Sequence, residues 1–254
     1  MEPDDQSGLM QAFEVANVIN ENAHTRTLLF KGRLESAQPG QFVMAWLPEV
    51  GERPFSIAAS VPLAITVSSV GTVSAALHQL KPGERAWVRG PLGTGFRLTG
   101  SKHLLVGGGY GAAPLSFLAK EALRQDGQVR VCLGAKTETE LLMQQRLHDM
   151  GCEVRIATED RSKGARGLVT QVVEQAISDE RPDCLYACGP TGMLLALAEL
   201  CKRHQVPAQL SFEALIRCGV GLCGSCELPD AVCNQVGLPT GWLVCHDGPI
   251  AFLS

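Results

Sequence analysis

The sequence predicts a multidomain chain: an N-terminal antiparallel β-barrel, an α/β domain with a parallel sheet, and a small cysteine-rich segment at the C-terminus. Three observations carry that reading. Residues 13–96 hold short β-branched and aromatic runs punctuated by Pro-Gly turns, the stretch after Gly100 alternates apolar runs with helical periods, and half of the ten cysteines crowd beyond Arg217. We divide the chain at 1–98, 99–210 and 211–254, in keeping with a length of 254 residues that exceeds one ordinary domain.

In the first region the runs "QFVMAWL", "AITVSSV" and "RAWVRG" read as strands, separated at Pro39-Gly40, Pro82-Gly83 and Pro91-Leu92-Gly93. The pattern fits a small barrel or a sandwich. Beyond Gly100, "HLLVGGG" leads into a helix on which Leu115, Leu118, Ala122 and Leu123 share one face. Strands then follow at "VRVCLG", "CEVRIA" and "CLYACG", separated by helices expected near 140–150, 169–177 and 192–203, with a last strand at "AQLSFE". Strands alternating with helices predict a parallel sheet covered on both faces. The segment after Glu213 is rich in glycine and proline and has no helical period; it is too short to build much core, and a metal centre is the usual substitute.

Hydrophobic residues at 45% and charged residues at 19% describe a globular chain. The net charge of −4 supplies no field for nucleic acid or an anionic membrane, so neither is an expected partner. Nothing near Met1 has the order of a secretory signal, and no apolar run reaches the ~18 residues of a membrane span. The expected setting is cytoplasmic, where ten cysteines do not make a disulfide scaffold. Cys132, Cys152, Cys184, Cys188 and Cys201 lie singly in apolar surroundings and read as small buried hydrophobes.

The others do not. Cys218-x4-Cys223-x2-Cys226 is the spacing with which plant-type ferredoxins begin a [2Fe–2S] site, completed by a distant fourth cysteine. A short loop must wrap the inorganic core while its amides point at the sulfurs, and Gly219, Gly221 and Gly224 permit the tight backbone this needs. A tetrahedral zinc site or unligated thiols are the alternatives. Spacing alone leaves Cys233 and Cys245 as fourth ligand. Cys233 follows Cys226 so closely that the chain would have to reverse almost at once, whereas Cys245 comes after a longer excursion and stands before a turn at Asp247, Gly248 and Pro249. We expect Cys245.

"LLVGGGYGAAPLSFL" passes from a strand into a helix, and Gly107-x-Gly109-x-x-Ala112 fits a loose dinucleotide fingerprint, in which a pyrophosphate approaches the first amides of the helix. The acidic residue usual at the end of the next strand is missing from "VRVCLGAKT", so a standard Rossmann site is not supported, and a glycine turn needed only for close strand-to-helix packing is the alternative reading.

Taken in order, "RPFS" (Arg53, Pro54, Phe55, Ser56), "VGT" (Val70, Gly71, Thr72), "GGGYGAAPL" from Gly107 and "YACGP" from Tyr186 resemble the ferredoxin–NADP reductase superfamily. With the closing "RCGVGLCGSC" and "VCHDGP", the chain resembles within it the iron–sulfur electron-transfer subunits of NAD-dependent dihydroorotate dehydrogenases. The resemblance implies an FAD-binding barrel, an NAD-binding α/β domain and a C-terminal [2Fe–2S] segment held by Cys218, Cys223, Cys226 and Cys245. It implies Arg53 on the FAD pyrophosphate, Pro54, Phe55 and Ser56 beside the flavin, and Val70, Gly71 and Thr72 as the second phosphate contact. Gly107, Gly108, Gly109 and Gly111 would meet the dinucleotide, with Gly189 and Pro190 under its nicotinamide half and Cys188 near the locus of hydride transfer, in a positioning role. Arg161 and Lys163 stand where a cation could meet a ribose phosphate, so NAD over NADP is a preference only.

The six histidines are scattered and no Ser-His-Asp set or paired-carboxylate site is apparent, so the chain reads as a conduit without an organic-substrate pocket of its own. The resemblance implies an FMN-containing catalytic partner that oxidises dihydroorotate, in an α2β2 assembly. Alternatives are the reductase subunit of a ferredoxin:NADP oxidoreductase or soluble hydrogenase, and a zinc-bearing regulatory module.

Overall fold

The computed structural model describes residues 9–253; the start of the chain at Met1, read above for a leader, lies outside them. Six antiparallel strands close into a barrel: β1 (Gln11–Asn20), β2 (Thr25–Lys31), β3 (Phe42–Leu47), β4 (Gly51–Ser60), β5 (Leu63–Ser68) and β6 (Arg85–Leu92), in the order β1-β2-β5-β4-β3-β6. Pairing of β1 with β6 seals it, which removes the free edges a sandwich would keep. Inward residues such as Val15, Leu28, Phe30, Val43, Ile57, Ile65 and Val88 fill the barrel. A helix that the sequence reading did not anticipate, α1 (Thr72–His78), lays Val73 and Leu77 on the same core.

The second layer is a seven-stranded sheet. Its elements are β7 (Lys102–Gly108), α2 (Ala112–Arg124), β8 (Gln128–Ala135), α3 (Gln144–Asp149), β9 (Glu153–Thr158), β10 (Ala165–Arg166), α4 (Val169–Asp179), β11 (Cys184–Cys188), α5 (Thr191–His204) and β12 (Ala208–Ser211). The order β10-β9-β8-β7-β11-β12 is parallel throughout. Every residue of β11 is buried, as expected of a central strand covered on both faces. Period-two alternation sorts β7 between two cores: Leu105 packs with α2 and α3, whereas Leu104 and Val106 pack with α4 and α5. Leu115, Leu118 and Ala122 are fully buried on the predicted face of α2. The helix expected near 140–150 is shorter, because a separate 3-10 turn takes residues 138–140 and Met143 sits at a positive φ before α3.

The C-terminal segment departs most from expectation. It contains a helix, α6 (Asp230–Val236), and ends in β13 (Ile250–Leu253), which adds to the sheet antiparallel to β12. Rather than depending on a metal alone for its packing, it buries Leu228, Cys233, Val236, Trp242 and Val244 on the core formed by α4 and α5. No helix among the described residues is long and apolar enough to cross a membrane.

Candidate functional site

A cleft of about 760 Å3 opens between barrel and sheet. Its walls join motifs that are far apart in sequence: Arg53, Pro54, Phe55 and Ser56 from β4, Val70, Gly71 and Thr72 at the entry to α1, Gly111 before α2, and Cys188 at the end of β11. The volume is that of a cofactor site. Arg53 donates through Nη1 to the carbonyl of Glu52 (2.8 Å), while the Glu52 carboxylate pairs with Arg89, which leaves the Arg53 guanidinium for the cleft. The Gly71 amide is already engaged: it donates to Ser74 Oγ at 2.9 Å, and Val70 N donates to the same oxygen at 3.1 Å. Ser74 thus fixes the turn that presents Thr72.

Tyr110, Ser211, Phe212 and Glu213 also line the cleft and were not singled out from the sequence. Glu213 has surface open to the cleft yet is crowded by protein, and this desolvation pushes its carboxyl above the usual range. Cys188 is buried, and desolvation, reinforced by the Glu213 charge, raises its thiol to about 12. It is therefore protonated at neutral pH, which suits a packing and positioning role and not a nucleophilic one.

The remaining predicted glycines lie just outside this cleft. Chain order reverses between β7 and β11, the adjacent strands from which the sheet is built outward in both directions. Such a switch point, outside the carboxyl ends of the strands, is where open α/β sheets bind dinucleotides. The N-termini of α2 and α5 both lie there without a side-chain cap or an acidic residue in the first turn; in α5 the amides of Thr191, Gly192 and Met193 precede the first intrahelical bond, at Leu194 N, whereas in α2 Ala112 N donates to the Gly109 carbonyl and Pro114 has no N–H. Most of the glycines serve packing. A Cβ at Gly107 would lie 2.9 Å from Ala112 Cα, one at Gly111 only 2.1 Å from the Cys188 carbonyl oxygen, and one at Gly108 or Gly189 would strike the Met193 side chain. Pro190 caps α5 beside them.

Gly109 differs, with φ +54° and open space around the position of a Cβ. A valine there strains the backbone and projects into the space before α2. We expect Gly109→Val to weaken the helix-end contact by about 1 kcal/mol, raising the apparent KM for NADH roughly fivefold with both cofactors retained. Steady-state reduction of an artificial acceptor checks this, and an unchanged KM places the dinucleotide elsewhere. Lys163, one of the two cations considered for a ribose phosphate, makes a surface pair with Glu138 at 2.9 Å.

In the cysteine loop Gly219, Gly221 and Gly224 adopt φ of +74°, +79° and +69°, the left-handed backbone the tight wrap requires. The sulfurs of Cys218 and Cys223 interact, as do those of Cys226 and Cys245. Amides converge on them: those of Val220, Leu222 and Cys223 lower the Cys218 thiol to about 6, Gly221 N donates to Cys245 Sγ (3.2 Å) and Cys245 N to Cys226 Sγ (3.4 Å). Burial and the thiol of Cys226 push Cys245 the other way, up to about 12. Among the described residues no three His, Cys, Asp or Glu side chains meet closely enough to hold one metal ion; Cys245 interacts with both Cys226 and Cys218. Cys233 stands apart, buried in α6 with its Sγ 3.8 Å from the Leu228 carbonyl.

A closed barrel, a switch-point sheet, a cleft between them and an amide-lined cysteine loop define a reductase of the ferredoxin–NADP reductase fold with an iron–sulfur segment attached. Residues 105–199 match the oxidoreductase NAD-binding domain, and residues 213–252 match the iron-sulfur cluster binding domain of dihydroorotate dehydrogenase B. The chain belongs to the family of dihydroorotate dehydrogenase B electron transfer subunits. It is 37% identical to the Methanopyrus kandleri protein named "Probable dihydroorotate dehydrogenase B (NAD(+)), electron transfer subunit", over 92% of this chain and 87% of that one. It is 40% identical to the protein of the same name from Thermococcus kodakarensis, over 87% of each. Among solved structures, a chain from an NADH-dependent reduced ferredoxin-NADP oxidoreductase superposes with a TM-score of 0.81 at 26% identity, covering 94% of this chain and 87% of that one.

Proposed function

We propose that this chain carries electrons between an NAD-binding site and a dihydroorotate-oxidising partner, using FAD in the cleft and a [2Fe–2S] cluster on Cys218, Cys223, Cys226 and Cys245. The observation that carries this reading is the ordered juxtaposition of three sites: helix ends at the sheet switch point, the cleft behind Cys188, and the cysteine loop seated on the barrel at β3 and β6. Bound there, the flavin would supply hydride chemistry and the cluster one-electron transfer. The protein's own contribution is placement. Arg53 and Thr72, the latter presented by the turn at Val70 and Gly71, bind phosphate, Phe55 and Phe212 supply apolar wall, and the protonated Cys188 holds the approach to the flavin without reacting.

The partner, on this reading, is an FMN-containing catalytic subunit in an α2β2 assembly, with electrons running from dihydroorotate through FMN, the cluster and FAD to NAD+. An exposed apolar patch beside the cysteine loop supports it as the docking face: Leu222 is 86% exposed, and Leu215 and Val220 stand out beside it. A cytoplasmic setting fits ten cysteines none of which is in a disulfide. Co-expression with a dihydroorotate dehydrogenase catalytic subunit should yield a complex that reduces NAD+ with dihydroorotate. Leu222→Asp should weaken association by about 2 kcal/mol, roughly 30-fold, and leave reduction of an artificial acceptor by NADH intact. Failure of the unaltered chain to associate or to couple dihydroorotate to NAD+ would exclude this partner and favour the ferredoxin-linked alternative.

A further inference from the structure

We propose that Arg89, clamped by Glu52, is a positioning residue for the cysteine loop, and that its charge sets the reduction potential of the cluster held there. The proposal rests on the reading that Cys218 is a cluster ligand. Arg89 lies on β6 opposite Met44 of β3, and its guanidinium does two things at once. Nε and Nη2 donate to Glu52 Oε1 (2.7 Å) and Oε2 (3.2 Å), while Nη2 also donates to the backbone carbonyl of Cys218 (2.7 Å). The next residue, Gly219, packs so closely on the barrel that a Cβ would lie 3.1 Å from Leu92 Cδ1 and from Met44 Cγ. The loop therefore has a tight apolar seat with a charged fork at its edge.

Barrel closure does not need this pair, since the backbone ladders supply it, and a largely desolvated ion pair is a weak stabiliser compared with apolar packing. Its placement explains more. The Arg89 and Glu52 side chains are only 15% and 24% exposed, so water screens their fields poorly. A fixed cation hydrogen-bonded to the residue carrying a ligand sulfur favours the more negative, reduced state, and charge with hydrogen bonding around the sulfurs is the protein's means of tuning such a centre. Glu52 holds the cation in place and partly offsets it. Glu52 also precedes Arg53, whose guanidinium bonds the Glu52 carbonyl and lines the cleft, so one dipeptide ties the loop clamp to the flavin site.

The test is an EPR-monitored redox titration of the full chain with its cofactors, alongside iron, acid-labile sulfide and FAD content. Arg89→Gln should move the cluster midpoint to more negative potential, Glu52→Gln to more positive potential, and Arg89→Lys should stay near the unaltered protein, all with FAD retained. A purely structural clamp does not give opposite shifts from its two halves. Should Arg89→Gln shed its cluster, Glu52→Gln and Arg89→Lys still decide. An unchanged or more negative midpoint in Glu52→Gln, an unchanged or more positive one in Arg89→Gln, or a clearly displaced one in Arg89→Lys overturns the proposal. Absence of iron from the unaltered chain overturns the cluster reading beneath it, a failure that the iron assay separates from the first.

Discussion

Cys245→Ala is expected to purify without a full complement of iron and acid-labile sulfide, whereas Cys233→Ala keeps both. Cys245 is tied into the loop on both sides, its sulfur taking the Gly221 amide and its own amide directed at Cys226 Sγ. Cys233 belongs to the core beneath, packed with Leu228 and Val236 and directed at the Leu228 carbonyl. Alanine at Cys233 deletes one buried sulfur, a packing loss of roughly 1 kcal/mol. On the proposed assignment, alanine at Cys245 removes a ligand, and with it the folding energy that a bound centre lends to its segment, so the loop and the adjoining apolar patch should loosen as well. Alanine is used because serine can ligate through oxygen. Full cluster content in the Cys245 variant, with loss in the Cys233 variant, would reverse the assignment.

Arg53→Ala should lose FAD on dilution and gel filtration while retaining its iron. The guanidinium lines the cleft, and its neighbouring carboxylate is committed to Arg89, so a phosphate would be its charge partner there. Removing a charge-assisted, bidentate contact costs about 2–3 kcal/mol, roughly 30- to 150-fold in affinity. The cluster should survive because Arg53 makes no bond to the cysteine loop; its hydrogen bond goes to Glu52. Stoichiometric, tightly held FAD in the variant would count against Arg53 as the phosphate ligand.

Much of this architecture was legible because local signals agree. The unbroken apolar run at Cys184, Leu185, Tyr186, Ala187 and Cys188 reads as a fully buried strand and is one, and the glycines at 219, 221 and 224 announce a left-handed loop and form one. Other features depend on tertiary context. Gly107, Gly108 and Gly111 have the residue type a phosphate loop needs, but the requirement they meet is close packing against Ala112, Met193 and the Cys188 carbonyl, which no local pattern distinguishes. Ser211, Phe212 and Glu213 reach the cleft only because β12 lies beside β11; an acidic residue just past a strand's carboxyl end was the available hint. The helix α6 also left a trace, Pro229 before it and Gly237 at φ +72° after it, which the glycine and proline content of the segment obscured. Arg89 left none, since its meeting with Cys218 joins positions 129 residues apart.

The most direct test of the central claim, that one chain connects an NAD site to a [2Fe–2S] cluster through FAD, is an anaerobic titration of the purified protein with NADH. Visible absorption would follow the flavin, and EPR would follow the cluster. The account predicts that both centres are present and that NADH bleaches the flavin while the EPR signal of a reduced [2Fe–2S] cluster grows in. A colourless protein with stoichiometric zinc, or a flavin that NADH reduces while the cluster stays oxidised at a potential it could accept, would contradict it.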